Sequence, residues 1–324
     1  MDIIEELNRP NYPNPVVTIG NFDGVHLGHQ KIFKRVVEKA EEIKGTPIAI
    51  TFQPHPVRVI SPERGLKMIT NYEDKIGLIS QTGIKVLICI NFSKEFAHTN
   101  PDDFIKNVLV DKLGIKWIVV GHNYAFGKGK KGTPALLRRR GKKYGFGLNV
   151  VRYAKVYGDI VSSSRIRSLI LRGRVCEASR MLGRAYHIDG NVIKGTGRGS
   201  TILNIPTANI SALNELIPKE GVYAVRVSFK EQKTNKGEDI LPVVYDGVMN
   251  IGKNPTFGDV SMSYEVHIFD FDKNILGERI RIHFIDRIRE EKRFSNISML
   301  EDNIRKDMEK AREILYKRRD LLYL

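Results

Sequence analysis

Cysteine and tryptophan are scarce in this sequence, and long apolar runs are absent. The 324 residues include one tryptophan and two cysteines, Cys89 and Cys176. Two cysteines so far apart argue against a disulfide framework and against a zinc site. No apolar stretch approaches the roughly 20 residues that span a bilayer, so we expect no membrane partner. The start, MDIIEELNRP, is acidic and amphipathic, unlike a signal or transit peptide, and we expect a cytoplasmic protein.

Acidic residues are missing from one long segment. Between Gly121 and Gly158 there is no Asp or Glu, and the whole chain has 53 Lys and Arg against 37 Asp and Glu, a net charge of +16. Such a balance suits polyanions, either nucleic acid or small phosphorylated ligands. Two interpretations stay open for this segment: a solvated basic helix face, or a phosphate-facing loop followed by a helix. Its clustered cations are Lys128, Lys130, Lys131, Arg138, Arg139, Arg140, Lys142 and Lys143.

Strand and helix patterns alternate in the first half of the chain, which predicts a doubly wound α/β layer. The second half instead alternates apolar and polar residues, as in VYAVRVSF at 222–229, which predicts an antiparallel sheet or small barrel with a closing helix. We expect domains at 1–183 and 184–324. The elements predicted for the first domain are strands at 16–20, 47–52, 85–90, 116–121 and 148–153, and helices at 74–80, 102–110, 134–144, 164–172 and 175–182.

A glycine-rich turn follows the first of these strands, in the string Gly20-Asn21-Phe22-Asp23-Gly24-Val25-His26-Leu27-Gly28-His29. Glycines allow the backbone to turn tightly and to approach a ligand. The loop after the first strand of an open parallel sheet commonly faces the ligand crevice, and the helix that follows offers N–H groups to an anion. His26 and His29 add ring donors in the same turn. The sequence therefore predicts a phosphate site here.

This segment resembles the His-x-Gly-His signature of the nucleotidyltransferase superfamily. The longer string TIGNFDGVHLGHQ resembles the bacterial bifunctional riboflavin kinase/FAD synthetase family in particular. Further strings match the same family in order: Pro54-His55-Pro56, the segment from Gly121 to Lys128, and Val161-Ser162-Ser163-Ser164-Arg165-Ile166-Arg167. In the last of these Ser164 replaces the family's Thr, so the hydroxyl remains. The resemblance implies a Rossmann-like nucleotidyltransferase domain followed by a riboflavin kinase barrel.

The resemblance implies roles for residues of the first domain. It makes His26 and His29 catalytic, and assigns Pro54, His55, Pro56 and Asn123 to the flavin. Its ATP-binding residues are Gly20, Phe22, Asp23, Gly24, Gly28, Ser162, Ser163, Ser164 and Arg167. Purely structural alternatives remain open for these residues. In them, Asn123 would form an Asx turn, residues 54–56 would be a rigid connection, and the three serines would only cap a helix. The role of Arg165 is left open.

A second group of candidate functional residues lies after residue 190. A glycine-rich loop before a Pro-Thr-Ala-Asn string resembles the riboflavin kinase fold, and the residues it assigns to ATP are Gly195, Gly197, Gly199, Ser200, Pro206, Thr207 and Asn209. By the same resemblance, Thr207 and Asn209 serve Mg²⁺ and Glu265 is the catalytic base. An ordinary turn after proline and a solvent-facing Glu are the alternatives. Asn204, in place of a usual glycine, and Leu276, in place of a usual tyrosine, depart from the family pattern.

The resemblance implies two reactions: ATP phosphorylates riboflavin to FMN, and AMP from ATP is then joined to FMN, giving FAD and pyrophosphate. The expected ligands are riboflavin, FMN, ATP and Mg²⁺; no nucleic acid is expected, and no oligomeric state is indicated. Two alternatives stand beside this. One is a monofunctional adenylyltransferase of another substrate, against which the Gly195–Asn209 string and Glu265 argue. The other is a nucleic-acid-binding or flavin-responsive regulator, which we would expect to have lost His29, Thr207 or Glu265.

Overall fold

The structure is a computed structural model that describes residues 1–5, 12–195, 206–229, 243–256, 259–292 and 297–319. The chain divides into two compact units, Met1–Ser162 and Ser163–Leu324. In the described ranges, no helix combines the length and the hydropathy needed to cross a bilayer. Both cysteines are buried, and they form no disulfide with each other, as their separation in the sequence suggests.

The first unit is built on a six-stranded parallel sheet with the strand order β1-β4-β3-β2-β5-β6. The expected strands are present, and the edge strand β1 is an addition, since its three residues are too few to show a strand pattern. The strands are β1 Asp2–Ile4, β2 Val16–Ile19, β3 Pro47–Gln53, β4 Val86–Asn91, β5 Trp117–Gly121 and β6 Gly147–Val151, with a separate small hairpin of β7 Lys155–Val156 and β8 Asp159–Ile160.

Helices cover both faces of this sheet, which confirms the doubly wound layer. Val17 and Ile19 of β2 face a core formed with Phe104 and Leu137, whereas Val16 faces a second core formed with helix α1. The helices are α1 Leu27–Glu42, α2 Pro56–Ile60, α3 Tyr72–Ser80, α4 Lys94–Ala97, α5 Pro101–Asp103, a π-helix at Phe104–Lys112 and α6 Pro134–Tyr144, with 3₁₀ turns at Pro62–Arg64 and Lys128–Lys130.

The second unit contains a closed barrel of six antiparallel strands in the order β10-β13-β12-β11-β14-β9. This confirms the predicted barrel, whose closing helix α9 runs Ile297–Lys317 and packs Ala311 and Leu315 on the sheet. Arg226 of the barrel donates to the Leu315 carbonyl near the end of that helix, at 2.9 Å. The strands are β9 Tyr186–Ile193, β10 Ala208–Ala212, β11 Gly221–Phe229, β12 Val244–Thr256, β13 Asp259–Ile268 and β14 Arg279–Arg289.

Two short helices, α7 Ser163–Leu171 and α8 Val175–Leu182, belong to the second compact unit. Both helices were expected in the first domain, at 1–183. In the structure α8 is joined to the barrel, since Ser179 Oγ accepts a hydrogen bond from the Tyr186 N–H at 3.1 Å. The compact division therefore falls between residues 162 and 163, while a functional boundary at 183 stays a prediction.

Candidate active sites

The central strand of the parallel sheet, β2, lies between β3 and β5. The next strands, β3 and β4, are added on one side of β2, whereas β5 and β6 are added on the other. The strand order therefore reverses at β2, which makes its carboxyl end the switch point where α/β sheets bind ligands. Three predicted segments meet this edge because each one follows a parallel strand. They are the loop from Gly20, the segment Pro54–Pro56 after β3, and Asn123 after β5. The topology thus brings together residues that are far apart in sequence.

The loop from Gly20 is held in a strained conformation. Phe22 and Val25 have positive φ values of 51° and 39°, although neither is glycine. Both side chains are buried, and the Phe22 ring packs at 4.6 Å from the Phe33 ring, between ring centroids. A β-carbon on Gly20 would lie 2.8 Å from the Phe22 ring, so residue 20 requires glycine in this arrangement.

Asp23 and Gly24 are held in place by hydrogen bonds to Ile69 and Thr70. Asp23 is 2% exposed, and its Oδ1 accepts the N–H groups of Ile69 at 3.0 Å and Thr70 at 3.3 Å. In return, the Gly24 N–H donates to Thr70 Oγ1 at 3.2 Å. These contacts show that Asp23 holds the loop to the segment before α3. A direct contact of Asp23 or Gly24 with ATP stays a prediction.

His26 and His29 form a stacked pair at the start of α1, with ring centroids 3.6 Å apart and planes inclined by 16°. His26 is the N-cap residue: its Nδ1 and its carbonyl both accept the His29 N–H, at 3.3 and 2.7 Å. Because His26 Nδ1 is an acceptor, the proton of the neutral ring lies on Nε2. The predicted histidine pair is therefore one geometric unit.

His29 is held in its neutral form. Burial and the neighbouring His26 ring lower the pKa of His29 well below its usual range. Its Nδ1 is enclosed and has no hydrogen-bond partner among the described residues. Phe22 closes the other side, with its ring edge-on to His29 at 5.3 Å between centroids. At neutral pH His29 thus offers a neutral imidazole group beside the His26 ring.

Gly28 completes this helix start. A β-carbon there would lie 3.0 Å from the His26 ring and 3.9 Å from the Val161 carbonyl. This contact places Val161, near the end of the first unit, beside the start of α1. Helix α7 begins at Ser163, as the serine string predicts, and Ser164 is exposed while Arg167 is partly buried. The phosphate-binding roles of these residues stay predictions.

The predicted flavin segment has a local structural role. His55 caps α2, because its Nδ1 accepts the Val57 N–H at 3.2 Å, and Pro56 is the first helical residue. Pro54 and Asn123 are exposed at the sheet edge. A contact of His55 with flavin stays a prediction.

The residues predicted for the kinase site lie side by side on neighbouring strands of the barrel. Glu265 of β13 pairs directly with Asn209 of β10 on one side and with Asn250 of β12 on the other. Cross-strand partners project from the same face, so these three polar side chains form a row. Ser263 Oγ donates to Glu265 Oε1 at 2.8 Å. Sequence alone had singled out Asn209 and Glu265 separately, and the register makes them neighbours.

Gly195 lies against this row, since a β-carbon there would be 2.0 Å from Asn209 Nδ2. Pro206 precedes β10, and its carbonyl is 2.7 Å from His267 Nδ1. Thr207 is partly buried at the start of the strand. The predicted residues Gly197, Gly199 and Ser200 lie outside the described residues, as does the departure at Asn204.

Sequence reasoning missed four residues that support the two sites. Ser263 and Asn250 flank Glu265 in the barrel; Ser263 was open to detection, because a residue two positions away on a strand shares the face of Glu265. Thr51 and Thr70 support the loop of the first unit, but they are contacts over 30 and 46 residues, which no local pattern reveals.

Comparison with known proteins gives consistent matches for the two halves. The family model for FAD synthetase matches residues 9–165, and that for riboflavin kinase matches residues 182–315. Two curated relatives, both named bifunctional riboflavin kinase/FMN adenylyltransferase, come from Bacillus subtilis and Haemophilus influenzae. The first is 38% identical and covers 91% of each chain; the second is 33% identical and covers 96% of this chain and 98% of its own.

A solved structure shares the fold of the full chain. It is a Streptococcus pneumoniae protein described as a macrolide-efflux protein, 31% identical, with a TM-score of 0.83 over 96% of this chain and 99% of its own. The riboflavin kinase match overturns the alternative of a monofunctional adenylyltransferase. From both family models and the nearly full-length relatives, it follows that the chain belongs to the family of bifunctional riboflavin kinases and FAD synthetases.

Proposed function

We propose that the stacked His26–His29 pair and the amide groups at the start of α1 stabilise the charge that develops when FMN attacks the α-phosphate of ATP. As a family member, the chain phosphorylates riboflavin to FMN and transfers AMP from ATP to FMN, giving FAD and pyrophosphate. The observation that carries the residue assignment is the position of two stacked imidazoles on a helix N-terminus at the sheet's switch point.

The chemistry of adenylyl transfer suits these groups. The attacking FMN phosphate is largely deprotonated at neutral pH, because its second pKa is about 6. A general base is therefore not required, and the protein has to align the reactants and stabilise charge. The N–H groups of Leu27 and Gly28 have no intrahelical acceptor by helix geometry, and they point toward the N-terminal side. The first turn carries no acidic residue that would repel phosphate.

The kinase step has a different requirement, since a ribityl hydroxyl attacks the γ-phosphate of ATP and must lose its proton. A positioned carboxylate accepts that proton. Glu265 has this role in our proposal. The hydrogen bond from Ser263 orients its carboxylate, and Asn209 lies beside it to hold a phosphate group. The barrel therefore combines a base with an amide donor on one face.

Mg²⁺ fits the oxygen groups of the second site. In the described part of the chain, no three His, Cys, Asp or Glu side chains gather as a metal centre would require. A magnesium ion that arrives with nucleotide phosphates needs only one or two protein ligands, and oxygen is its preferred donor. We propose that the Thr207 hydroxyl and the Asn209 amide oxygen hold it. The bound ion would neutralise phosphate charge.

The test separates the two reactions in the full-length protein by supplying either riboflavin or FMN with ATP and Mg²⁺. We expect His29→Ala to lower FAD formation about 10²–10³-fold, the usual cost of a lost charge-stabilising donor, while FMN still forms from riboflavin. Glu265→Gln should lower FMN formation about 10²–10⁴-fold and leave FAD synthesis from supplied FMN near normal.

His98→Ala and Glu278→Gln are matched controls, since both residues are exposed and lie outside the proposed sites. They should leave both reactions unchanged. Unchanged FAD synthesis in His29→Ala would overturn the role of the histidine pair. Loss of both reactions in a folded Glu265→Gln protein would overturn the assignment of the base.

A further inference from the structure

A buried lysine lies behind the nucleotide loop of the first unit. Lys75, on α3, is 5% exposed, and its Nζ lies 3.3 Å from Thr51 Oγ1 and 5.5 Å from the centre of the Tyr72 ring. Burial lowers the pKa of Lys75, and the nearby Cys89 and Asp23 side chains oppose this shift. Lys75 belongs to neither of the two proposed catalytic sites.

Lys75 is the first donor in a chain of two hydrogen bonds that leads through Thr51 to Asn21. An ammonium group only donates, so Lys75 Nζ gives its hydrogen to Thr51 Oγ1. The Thr51 hydroxyl must then turn its own hydrogen elsewhere, and its acceptor is the Asn21 carbonyl at 3.3 Å. Thr51 is fully buried, so water does not compete for this hydroxyl. The chain therefore runs from α3, through β3, into the loop after β2.

The loop at the end of this chain needs external support. Phe22 and Val25 have positive φ although neither is glycine, and strained conformations persist only where surrounding contacts hold them. Asp23 and Gly24 are tied to the segment 69–70, and Asn21 is tied to Thr51. These two attachments bracket Phe22, whose ring contacts His29.

We propose that Lys75 is a positioning residue for FAD synthesis: through the Thr51 hydroxyl and the Asn21 carbonyl it holds the strained loop that presents the His26–His29 pair. This inference rests on the proposed role of that pair. The lysine acts on the alignment of reacting groups, so its loss should affect the chemical step more than substrate binding.

The test compares Lys75→Met with Lys39→Met in the full-length protein. Lys39 is a matched control, because it is also a buried lysine of the same unit, 7% exposed, but its Nζ lies over the Trp117 ring at 3.8 Å and pairs with Glu42 at 2.6 Å. We expect Lys75→Met to lower kcat for FAD synthesis by about tenfold to a hundredfold, the range that small misplacements of reacting groups cause. The KM for ATP in FAD synthesis should change little, and so should the rate of FMN formation from riboflavin. Lys39→Met should leave kcat near normal.

A second pair of variants keeps the lysine and changes the hydroxyl. Thr51→Val removes the link in a side chain of the same shape and should reproduce the loss in kcat, whereas Thr51→Ser keeps the hydroxyl and should restore most of it. The Lys75→Met/Thr51→Val double variant should be no worse than either single variant, because both break one chain. Thr51→Val and Thr51→Ser test the hydrogen-bond chain even if Lys75→Met does not fold.

Three results would overturn the proposal. The first is an equal loss of kcat in Lys75→Met and Lys39→Met, which would reduce the lysine to a general stabilising role. The second is normal kcat in Thr51→Val. The third is additive losses in the double variant. Failure of the histidine assignment itself is a separate outcome, since it shows as unchanged FAD synthesis in His29→Ala.

Discussion

The side chain of Asn209 occupies the space that a side chain on Gly195 would need: a β-carbon at residue 195 would lie 2.0 Å from Asn209 Nδ2. Gly195→Ala should therefore displace Asn209 from the row that it forms with Glu265. Misplacing a group that holds a reactant commonly costs about tenfold to a hundredfold in rate. We expect that loss in FMN formation from riboflavin, with FAD synthesis from supplied FMN unchanged.

Gly77→Ala is the control for this substitution. Gly77 is a helical glycine of α3, and nothing lies within 4 Å of a β-carbon built there. Both reactions should be normal in this variant. Normal FMN formation in Gly195→Ala would show that Asn209 does not need its present position.

The pH dependence of FAD synthesis should reflect the neutral state of His29. If the pKa of His29 is well below its usual range, as its burial implies, the ring does not lose a proton as the pH rises through 6.5. The rate should instead rise as the FMN phosphate deprotonates near its second pKa of about 6, and then stay level. Measuring kcat from pH 5.5 to 8.5 tests this; a decrease near pH 6.5 in wild type that is absent in His29→Gln would contradict it.

The stability of the second unit should fall in mild acid because of His283. Burial, with the nearby His187 ring and Arg281, lowers the pKa of His283 to about 3, against about 6.5 in an unfolded chain. Above pH 6.5 both states are neutral. Between 6.5 and 3 the unfolded state binds the extra proton, so stability falls with decreasing pH by up to about 1.4 kcal/mol per unit.

Urea unfolding at several pH values, followed by circular dichroism, measures this effect, while Trp117 fluorescence reports the first unit separately. His283→Gln should reduce the slope by about one proton and keep a partner for Ser228, whose Oγ is 3.2 Å from His283 Nε2. The exposed His98→Gln is the control. An unchanged slope in His283→Gln would mean that the ring titrates normally.

Fragments with two different starts test the domain boundary. Residues 163–324 should fold and convert riboflavin to FMN without making FAD. Residues 184–324 lack α7 and α8 and should be less stable, because Met181 and Leu182 are almost fully buried and each such side chain contributes about 1.5–3 kcal/mol. Thermal unfolding compares the two; equal midpoints would show that α7 and α8 add nothing to the barrel.

The basic segment offers a test between phosphate ligands and nucleic acid. Lys128, Lys130 and Lys131 are exposed. Reversing their charges should raise KM for ATP or FMN in FAD synthesis only, if they attract phosphorylated substrates. We expect no strong binding of duplex DNA by the wild-type protein. Tight binding that weakens steeply with salt, together with unaffected FAD synthesis, would instead favour a regulatory role.

Local patterns predicted most of the regular elements because each has a strong period of its own. The amphipathic repeat of α1 and the buried run of β2 are examples. The barrel strand β9 carries His187 and Asp189, which look unsuited to a buried strand. Asp189 is buried nonetheless, because Arg279 and Arg281 of the neighbouring strand pair with it at 2.9 and 2.7 Å.

One element was predicted as the wrong kind of helix. The pattern over 102–110 predicts an ordinary α-helix, but the chain forms a short α-helix at Pro101–Asp103 and a π-helix at Phe104–Lys112. The residues Phe104, Ile105 and Leu109 are buried in the sheet's core. A helix pattern records which residues are apolar, whereas the winding of the backbone depends on the contacts it meets.

The sequence by itself determined the two fold classes and the motifs of the two reactions, because hydrophobic period, glycine placement and the histidine spacing act over a few neighbouring residues. Tertiary structure alone decided which of these residues meet. The register of the barrel sets Asn209 beside Glu265, and the packing of α3 sets Lys75 against Thr51, 24 residues away. Such contacts arise from strand pairing and burial across the chain, and no local pattern encodes them.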